Sequence, residues 1–292
     1  MNKNVLMSGA EHFDDGDAIN TLMDASIPVD VTKAVAEHNL IKQTLESIGV
    51  NVKQLPAPKG CQDGVYTANW ALIKNGRALM ARLPNTRQPE EECALKTLQD
   101  LGITTVTLPD HVDRFSGQGD ALPCGNMVFT QSPYRTTTDA HPYLMTELGF
   151  TELIVLETEP AKDKDGKSVI NKITGLPDSP TYDIDLALAV IKQPQDGNRG
   201  LIAYCPEVFK PSSQQILSDF YLVDKIIVSK QEALKAFALN LLSTGEEVVM
   251  NSGAPKFQAE LEAHGLKTIA LDLPELRKGG GSIRCTTLTL DN

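Results

Sequence analysis

The chain has 292 residues, of which 41% are hydrophobic and 22% are charged, a composition typical of a folded globular protein. Its formal net charge is −11, which repels nucleic acid, and no run of Lys or Arg offers a local basic patch. No segment approaches the ~20 apolar residues of a membrane span, and residues 1–9 lack the apolar stretch of a signal peptide. We therefore expect a cytoplasmic protein with neither a nucleic-acid nor a membrane partner.

The cysteines favour neither a disulfide framework nor a zinc site. They are five in number and widely spaced, with no Cys-x-x-Cys pair and no histidine at ligand spacing. They are Cys61, Cys93, Cys124, Cys205 and Cys285. We expect no structural metal and no cofactor.

A recurring unit of amphipathic helix, glycine and strand runs along the chain. Glycines at positions 49, 102 and 149, about 50 residues apart, each precede a strand pattern, and Gly265 begins a further copy. Each glycine suits a helix C′ position in the left-handed region. A degenerate copy without glycine spans residues 212–229. The pattern predicts one supersecondary unit repeated around an axis.

Between these units lie further strand patterns, so strands and helices are mixed throughout the chain. The predicted strands cover residues 64–73, 77–83, 127–131, 182–191 and 201–204. Residues 157–180, rich in Lys, Asp, Gly and Pro, indicate a surface loop or lid and not a domain linker. We expect one domain over residues 1–292.

Four short segments place polar residues beside strand ends. They are Asp63-Gly-Val-Tyr-Thr-Ala-Asn69, Phe115-Ser-Gly-Gln-Gly-Asp120, Tyr182-Asp-Ile-Asp185 and Lys278-Gly-Gly-Gly-Ser-Ile-Arg-Cys285. Each alone has an ordinary structural interpretation, as a turn cap, a hairpin, a solvated strand face or a buried inert cysteine. The three glycines at 279–281 lack the Gly-Lys-Ser/Thr of a phosphate loop.

In combination and in this order, the four segments resemble the hydrolase branch of the guanidino-group-modifying superfamily. That group includes arginine deiminases, dimethylarginine dimethylaminohydrolases and arginine dihydrolases. The resemblance covers nearly the whole chain and includes Ile19-Asn-x-x-Met23, residues 87–91, Arg135 with His141, Tyr204-x-Pro-Glu-x-Phe209 and Ala236-Phe-x-x-Asn240. It implies an α/β fold, a five-bladed propeller of ββαβ repeats.

The resemblance also implies roles for individual residues. Cys285 matches the nucleophile that attacks the guanidinium carbon, and a thiolate is the reactive form. Asn69 and Asp185 match the groups that hold the guanidinium in paired hydrogen bonds. The remaining substrate-binding residues that it indicates, mainly at the amino-acid end of an arginine-like substrate, are Asp63, Arg87, Asp120 and Arg135. The expected partner is such a small molecule, and a homodimer is possible.

Two residues depart from the family pattern. The general acid/base of the family is the His of a His-x-Asp motif, but this chain has Asp183 there, and Ser116 stands where the family has Glu. If Asp183 and Asp185 alternate on one buried strand face, they repel each other, which raises one pKa toward the range useful for proton transfer. Asp183 is then the acid/base, and His111 is a weaker stand-in.

Two functions fit this pattern. In the first, the protein hydrolyses a C–N bond of an arginine-like guanidino or ureido substrate through a covalent Cys285 adduct, with Asp183 in place of the histidine. In the second, it is a pseudoenzyme that binds such a compound without turnover. Retention of Cys285 in its glycine-rich segment favours the enzyme, because a binding protein needs no nucleophile there.

Overall fold

The computed structural model describes residues 1–195 and 197–291. Over these residues the strands form five three-stranded sheets. The strands are β1 (Asn4–Met7), β2 (Asn51–Gln54), β3 (Ala71–Lys74), β4 (Arg77–Met80), β5 (Thr104–Val106), β6 (Ala121–Cys124), β7 (Met127–Gln131), β8 (Glu152–Leu156), β9 (Leu188–Lys192), β10 (Gly200–Tyr204), β11 (Val223–Ile227), β12 (Leu242–Ser243), β13 (Glu247–Asn251), β14 (Lys267–Leu271) and β15 (Leu288–Thr289). The helices are α1 (Val31–Ser47), α2 (Pro89–Asp100), α3 (Gly117–Asp120), α4 (His141–Leu148), α5 (Pro211–Asp219), α6 (Lys230–Lys235) and α7 (Pro255–Ala263).

Four of the five sheets follow the predicted ββαβ order along the chain. In each of these, the middle strand pairs antiparallel with the strand before it and, after a helix, parallel with the strand that follows. In the third sheet, for example, β7 pairs antiparallel with β6 and parallel with β8. The first sheet is completed by the far end of the chain, because β15 pairs antiparallel with β1 through Val5 and Thr289. Residues from both ends of the sequence therefore share one blade.

The repeat glycines end the helices as expected. Gly49, Gly102, Gly149 and Gly265 have φ of 83°, 76°, 68° and 77°, the left-handed region that a side chain disfavours. The degenerate copy is also confirmed, since α5 leads into β11 without a glycine. The periodicity of the sequence thus located all five helix-to-strand units.

Polar turns meet where the first strands of neighbouring blades adjoin. β6 contacts β9, and β9 contacts β12. A short turn precedes the first strand of three blades. These turns are a 3₁₀ turn at Thr67–Trp70 before β3, α3 before β6, and a 3₁₀ turn at Ile184–Leu186 before β9. α3 contacts both 3₁₀ turns. The fold therefore brings residues far apart in sequence together in the interior.

Two predicted strands were wrong in part. The 64–73 segment is a 3₁₀ turn followed by β3, and the 182–191 segment is a 3₁₀ turn followed by β9. Asp183 and Asp185 therefore do not alternate along a strand. Backbone bonds of the turn explain this, because Leu186 N–H donates to Asp183 O (3.2 Å) and Ala187 N–H to Ile184 O (2.9 Å). Both carboxylates are nevertheless buried.

The segment 157–180 is a loop with isolated bridges, including Lys162 with Ser168 and Ile170 with Pro177. Its tip is exposed and its ends pack on the body of the protein. Among the described helices, none is long and apolar enough to cross a membrane.

Candidate active site

Cys285 lies in a turn between the glycine-rich segment and β15. Its side chain is buried, and two polar side chains contact the Sγ atom. The thiol donates to Asp185 Oδ2 at 3.3 Å, and Asn240 Nδ2 donates to Sγ at 3.0 Å. Burial raises the pKa of this thiol well above its ordinary value, and the nearby Asp185 and Asp183 raise it further. In the free protein the thiol is therefore protonated at neutral pH.

The glycines before Cys285 permit close packing with two tyrosines. A Cβ atom on Gly281 would lie 2.7 Å from the Tyr66 ring and 2.9 Å from Cys285 Cβ, and one on Gly280 would lie 2.9 Å from Tyr182 Oη. Tyr182 donates to Gly280 O at 2.9 Å. The glycine run is thus explained by space beside the nucleophile, and no phosphate needs to be invoked.

Three buried carboxylates form an acidic cluster: Asp120, Asp183 and Asp185. Each has one oxygen without a hydrogen-bond partner among residues 1–195 and 197–291, namely Asp120 Oδ2, Asp183 Oδ1 and Asp185 Oδ1. Burial raises the pKa of all three, that of Asp185 to about 8, and the charge of Asp183 further raises the pKa values of Asp120 and Asp185. Such a cluster shares protons at neutral pH and favours a cation placed against its free oxygens.

Asp120 holds the turn that carries the other two carboxylates. Its Oδ1 accepts from the Ile184 backbone N–H at 2.9 Å. Ile184 lies between Asp183 and Asp185 in sequence, so the bond fixes the direction of both side chains. The structure thus gives this carboxylate a supporting contact, while its second oxygen faces no partner.

Asn69 is fully engaged by protein groups. Its Nδ2 donates to Asp183 Oδ2 (2.7 Å) and Ser116 Oγ (2.9 Å), and its Oδ1 accepts from Arg87 Nη1 (2.8 Å). Ser116 and Asp183 are the two residues that depart from the family pattern, and both contact this one amide. Gly119 leaves the space for it, because a Cβ there would lie 2.3 Å from Asn69 Nδ2.

Arg87 forms a buried ion pair with Glu90. Nε and Nη2 donate to the two Glu90 carboxylate oxygens, each at 2.8 Å, and Nη2 also lies 3.2 Å from Asp63 O and 3.3 Å from Tyr66 O. This bidentate geometry is the strong arrangement for Arg and carboxylate. Most Arg87 donors are therefore used within the protein, and the side chain supports Asn69.

Asp63 and Arg135 are less fully engaged. The Asp63 carboxylate accepts from Gln62 Nε2 at 3.0 Å, and burial raises its pKa to about 6, opposed by Arg87. Arg135 donates to Ile19 O at 2.7 Å and stacks 4.9 Å from the Tyr182 ring centroid. The charge of Arg135 lowers the pKa values of Asp63 and Asp183. Arg135 therefore contributes to the electrostatics of the site.

The structure brings the predicted residues into one buried network, with the nucleophile beside Asp185 and not hydrogen-bonded to Asp183. His111 does not belong to it: its side chain is exposed and contacts Tyr143 Oη at 3.2 Å. Within the described residues no group of three or more His, Cys, Asp or Glu is placed to hold a metal ion.

Asn240 and Arg284 were not identified as site residues from the sequence. Arg284 is buried and donates to Gln118 Oε1 (3.0 Å) and Thr289 Oγ1 (3.0 Å), and its charge favours the ionised form of Asp185. Asn240 lies in a segment that carried the family resemblance. Only the adjacency of Arg284 to Cys285 could have suggested a role for Arg284, because its partner Gln118 comes from another blade.

Relatives with known activities align along most of the chain. A dimethylarginine dimethylaminohydrolase of Mycobacterium tuberculosis is 34% identical over 274 residues, which is 94% of this chain and 81% of that protein. The bifunctional arginine dihydrolase/ornithine cyclodeaminase ArgZ of Synechocystis is 26% identical over 97% of this chain, which spans only 37% of that protein. No family model matches the sequence.

Solved structures have the same fold. The N-terminal domain of ArgZ, an arginine dihydrolase from cyanobacteria bound to its product, gives a TM-score of 0.84 at 25% identity, with 99% of this chain and 98% of that chain covered. A dimethylarginine dimethylaminohydrolase adduct with S-methyl-L-thiocitrulline gives 0.73 at 20% identity over 99% of both chains, a likeness of fold alone. Both confirm the five-bladed α/β propeller. The chain belongs to the guanidino-group-modifying superfamily, in the branch of the dimethylarginine dimethylaminohydrolases and arginine dihydrolases.

Proposed function

We propose that this protein hydrolyses a C–N bond of an arginine-like guanidino compound through Cys285. The observation that carries the proposal is the buried contact between the Cys285 thiol and Asp185, 3.3 Å apart, beside free carboxylate oxygens. A nucleophile paired with a group that can take its proton is the requirement for covalent catalysis. The 34% identical relative is a hydrolase of this branch.

The acidic cluster selects a cation. Asp120, Asp183 and Asp185 are buried together, Asp63 is buried as well, and Arg87 is already paired with Glu90. A planar guanidinium against the unpartnered oxygens of Asp183 and Asp185 would gain charge-assisted hydrogen bonds. Its positive charge would favour the ionised carboxylates and the thiolate. A neutral ureido compound lacks that charge, so we favour a guanidino substrate.

The reaction proceeds in two halves. Asp185 takes the thiol proton, Sγ bonds to the guanidinium carbon, and Asp183 gives a proton to the nitrogen whose bond to carbon breaks. A water molecule then adds to the same carbon and gives one proton to Asp183. As the C–S bond breaks, Asp185 returns the thiol proton to Sγ, and the second proton of the water passes to the released amine, which leaves a neutral ureido product and Cys285. Two coupled carboxylates with raised pKa values can exchange one proton, as this sequence requires.

The remaining residues orient the substrate. Arg135 has fewer hydrogen bonds within the protein than Arg87, so it is the better cation for the substrate carboxylate, and Asp63 suits the amino group. Arg87 acts through Asn69, which it holds against Asp183. The cytoplasmic location and the single domain over residues 1–292 stay predictions. The homodimer is also a prediction, and size-exclusion chromatography with light scattering measures the oligomeric state.

One observation favours a binding protein without turnover. The Asn69 amide donates to Asp183 and Ser116, so this part of the clamp is occupied by the two residues that depart from the family pattern. A ligand would then meet a site whose proton-transfer groups are restrained. This alternative predicts ligand binding without product.

The test is product release from a panel of arginine, N-methylated arginines, agmatine and citrulline. We expect amine or ammonia, with a ureido product, from at least one guanidino compound and none from citrulline. Cys285→Ala should abolish release and retain ligand-induced thermal stabilisation. Stabilisation of the wild type without any product would overturn the enzymatic proposal in favour of the binding protein.

A further inference from the structure

The amide of Asn240 connects two parts of the site that are 45 residues apart in sequence. Asn240 is fully buried in the segment between α6 and β12. This segment is held rigidly, because Asn251 Nδ2 donates to Phe237 O (3.0 Å) and Asn240 O (3.2 Å). Phe237 also has a φ of 52°, which a non-glycine residue adopts only when its surroundings hold it there.

The Asn240 oxygen binds the backbone around the nucleophile. Oδ1 accepts from the N–H groups of Ser282 (3.0 Å), Arg284 (3.1 Å) and Cys285 (3.3 Å). Three donors converge on this atom, so the opposite orientation of the amide would set its NH₂ group against three N–H groups. The hydrogen-bond network therefore fixes which end of the amide faces the sulfur.

The Asn240 nitrogen is thereby directed at the reacting atom. Nδ2 donates to Cys285 Sγ at 3.0 Å, and the thiol in turn donates to Asp185 Oδ2. An N–H donor stabilises a thiolate more than a thiol, because the charged sulfur is the stronger acceptor. The carboxylates around Sγ have the opposite effect.

We infer that Asn240 stabilises the thiolate of Cys285 while its oxygen sets the backbone that presents the sulfur. The inference rests on the proposed role of Cys285 as nucleophile, but the thiol itself reports on it without turnover. The charged or titratable side chains that act on Sγ, or on which its charge acts, are Asp183, Asp185, Arg284, Tyr66 and Tyr182. Asn240 is the neutral side-chain donor to Sγ, and the backbone N–H of Ser282 acts on the thiol pKa in the same direction.

The experiment measures alkylation of Cys285 by iodoacetamide, resolved by peptide mass spectrometry, from about pH 8 to about pH 11. The variants are Asn240→Leu and Asn240→Ser. The first keeps the size of the side chain without a polar group and adds no charge beside Sγ, and the second is too short to reach both partners. Asn251→Leu and Asn251→Ser are matched controls, because Asn251 supports the same segment and accepts from Ser282 Oγ at 2.6 Å, while its own amide donates to Phe237 O and Asn240 O.

We expect both Asn240 variants to move the midpoint of the pH profile upward by about one unit, so that alkylation below the midpoint slows about tenfold. The direction in which the midpoint moves distinguishes a thiolate-stabilising Asn240 from one that only supports the segment. Burial is the largest cause of the raised thiol pKa, so mere loosening of the segment would move the midpoint downward. The Asn251 variants should show no upward shift.

An unchanged or lowered midpoint in the Asn240 variants, or an equal upward shift in the Asn251 variants, would overturn the inference. The proposed function fails separately. A protein that releases no product from any compound, yet shows the upward midpoint shift, retains a thiolate-stabilising Asn240 without being a hydrolase. Product release with an unchanged midpoint would reject Asn240 alone.

Discussion

The two sides of the site differ in how completely their polar groups are satisfied. On one side, Arg87 donates to Glu90, to Asn69 and to backbone carbonyls, and Trp70 Nε1 adds a bond to Glu90 at 3.0 Å. On the other side, Asp120, Asp183 and Asp185 each keep an oxygen that has no partner in the described part of the chain. Buried polar groups are normally paired.

This difference indicates which side is scaffold and which side meets the ligand. A network whose donors are mostly used within the protein has few to give to a substrate, but it can hold Asn69 and Asp183 in place. Free carboxylate oxygens destabilise the empty site and are satisfied when a cation binds. The Asp cluster is therefore the reactive side, and the Arg87 network is its support.

The largest effect on stability is expected from the saturated side. Arg87→Ala leaves Glu90 as a buried charge without its guanidinium, so we predict a loss of about 3–5 kcal/mol in the free energy of unfolding, measured by urea denaturation. Arg77→Ala is the control, since its pair with Glu147 is part-exposed and should cost less than about 1 kcal/mol. A similar small loss in both variants would show that the Arg87 network is not the scaffold.

Asp185→Asn should act mainly on the reaction. The amide cannot take the thiol proton, so we predict that kcat/KM for the best guanidino substrate falls at least about 100-fold. Activity within a fewfold of the wild type would assign the proton transfer to another group.

The same variant provides its own check on folding. The pKa of Asp185 is raised by burial from 3.8 to about 8 in the folded chain, so the wild type loses stability as pH rises through this interval, because the carboxyl ionises in the unfolded chain while it stays protonated in the folded one. Asp185→Asn should lose less stability over that interval. Chemical denaturation across the same pH range tests the sign.

Ligand affinity should depend on pH for the same reason. A guanidinium favours the ionised form of Asp185, so binding releases a proton at neutral pH. We predict that the affinity of Cys285→Ala for its guanidino ligand rises by up to about tenfold per pH unit below pH 8 and levels off above it. Titration calorimetry in buffers of different ionisation enthalpy measures the proton release. Affinity independent of pH would contradict a direct contact with the cluster.

The smallest effect is expected outside the site. Ile170 lies on the exposed part of the 157–180 loop, with 54% of its surface accessible. Ile170→Ser should change the free energy of unfolding by no more than about 0.5 kcal/mol. A large loss would show that this loop is part of the support of the site.

The sequence predicted the repeat and the site's members better than their local geometry. Glycines such as Gly49 and Gly102 mark helix ends because of backbone sterics. This effect is local, so it can be identified from the sequence. The pair Asp183 and Asp185 was assigned to a strand face, because an alternating Asp-Ile-Asp has the strand period. The bond from Asp120 to Ile184 N–H, 64 residues apart, imposes a turn instead, and periodicity cannot reveal a contact at that distance.

Asn240 shows the same limit. Its segment carried part of the family resemblance, but its function depends on bonds to Ser282, Arg284 and Cys285, which the closure of the propeller brings to it. The loss of the family histidine was visible in the sequence. The use of Asn69 to bind both replacement residues required the structure.

The most direct test of the account is the covalent adduct itself. The wild type is mixed with each guanidino compound of the panel, quenched in acid and digested. The mass of the peptide that contains Cys285 is then measured by mass spectrometry. The account predicts a mass increase on that peptide which is absent in Cys285→Ser and decays as ureido product forms. Ligand-stabilised protein with an unmodified Cys285 at every quench time, and no product, would contradict it.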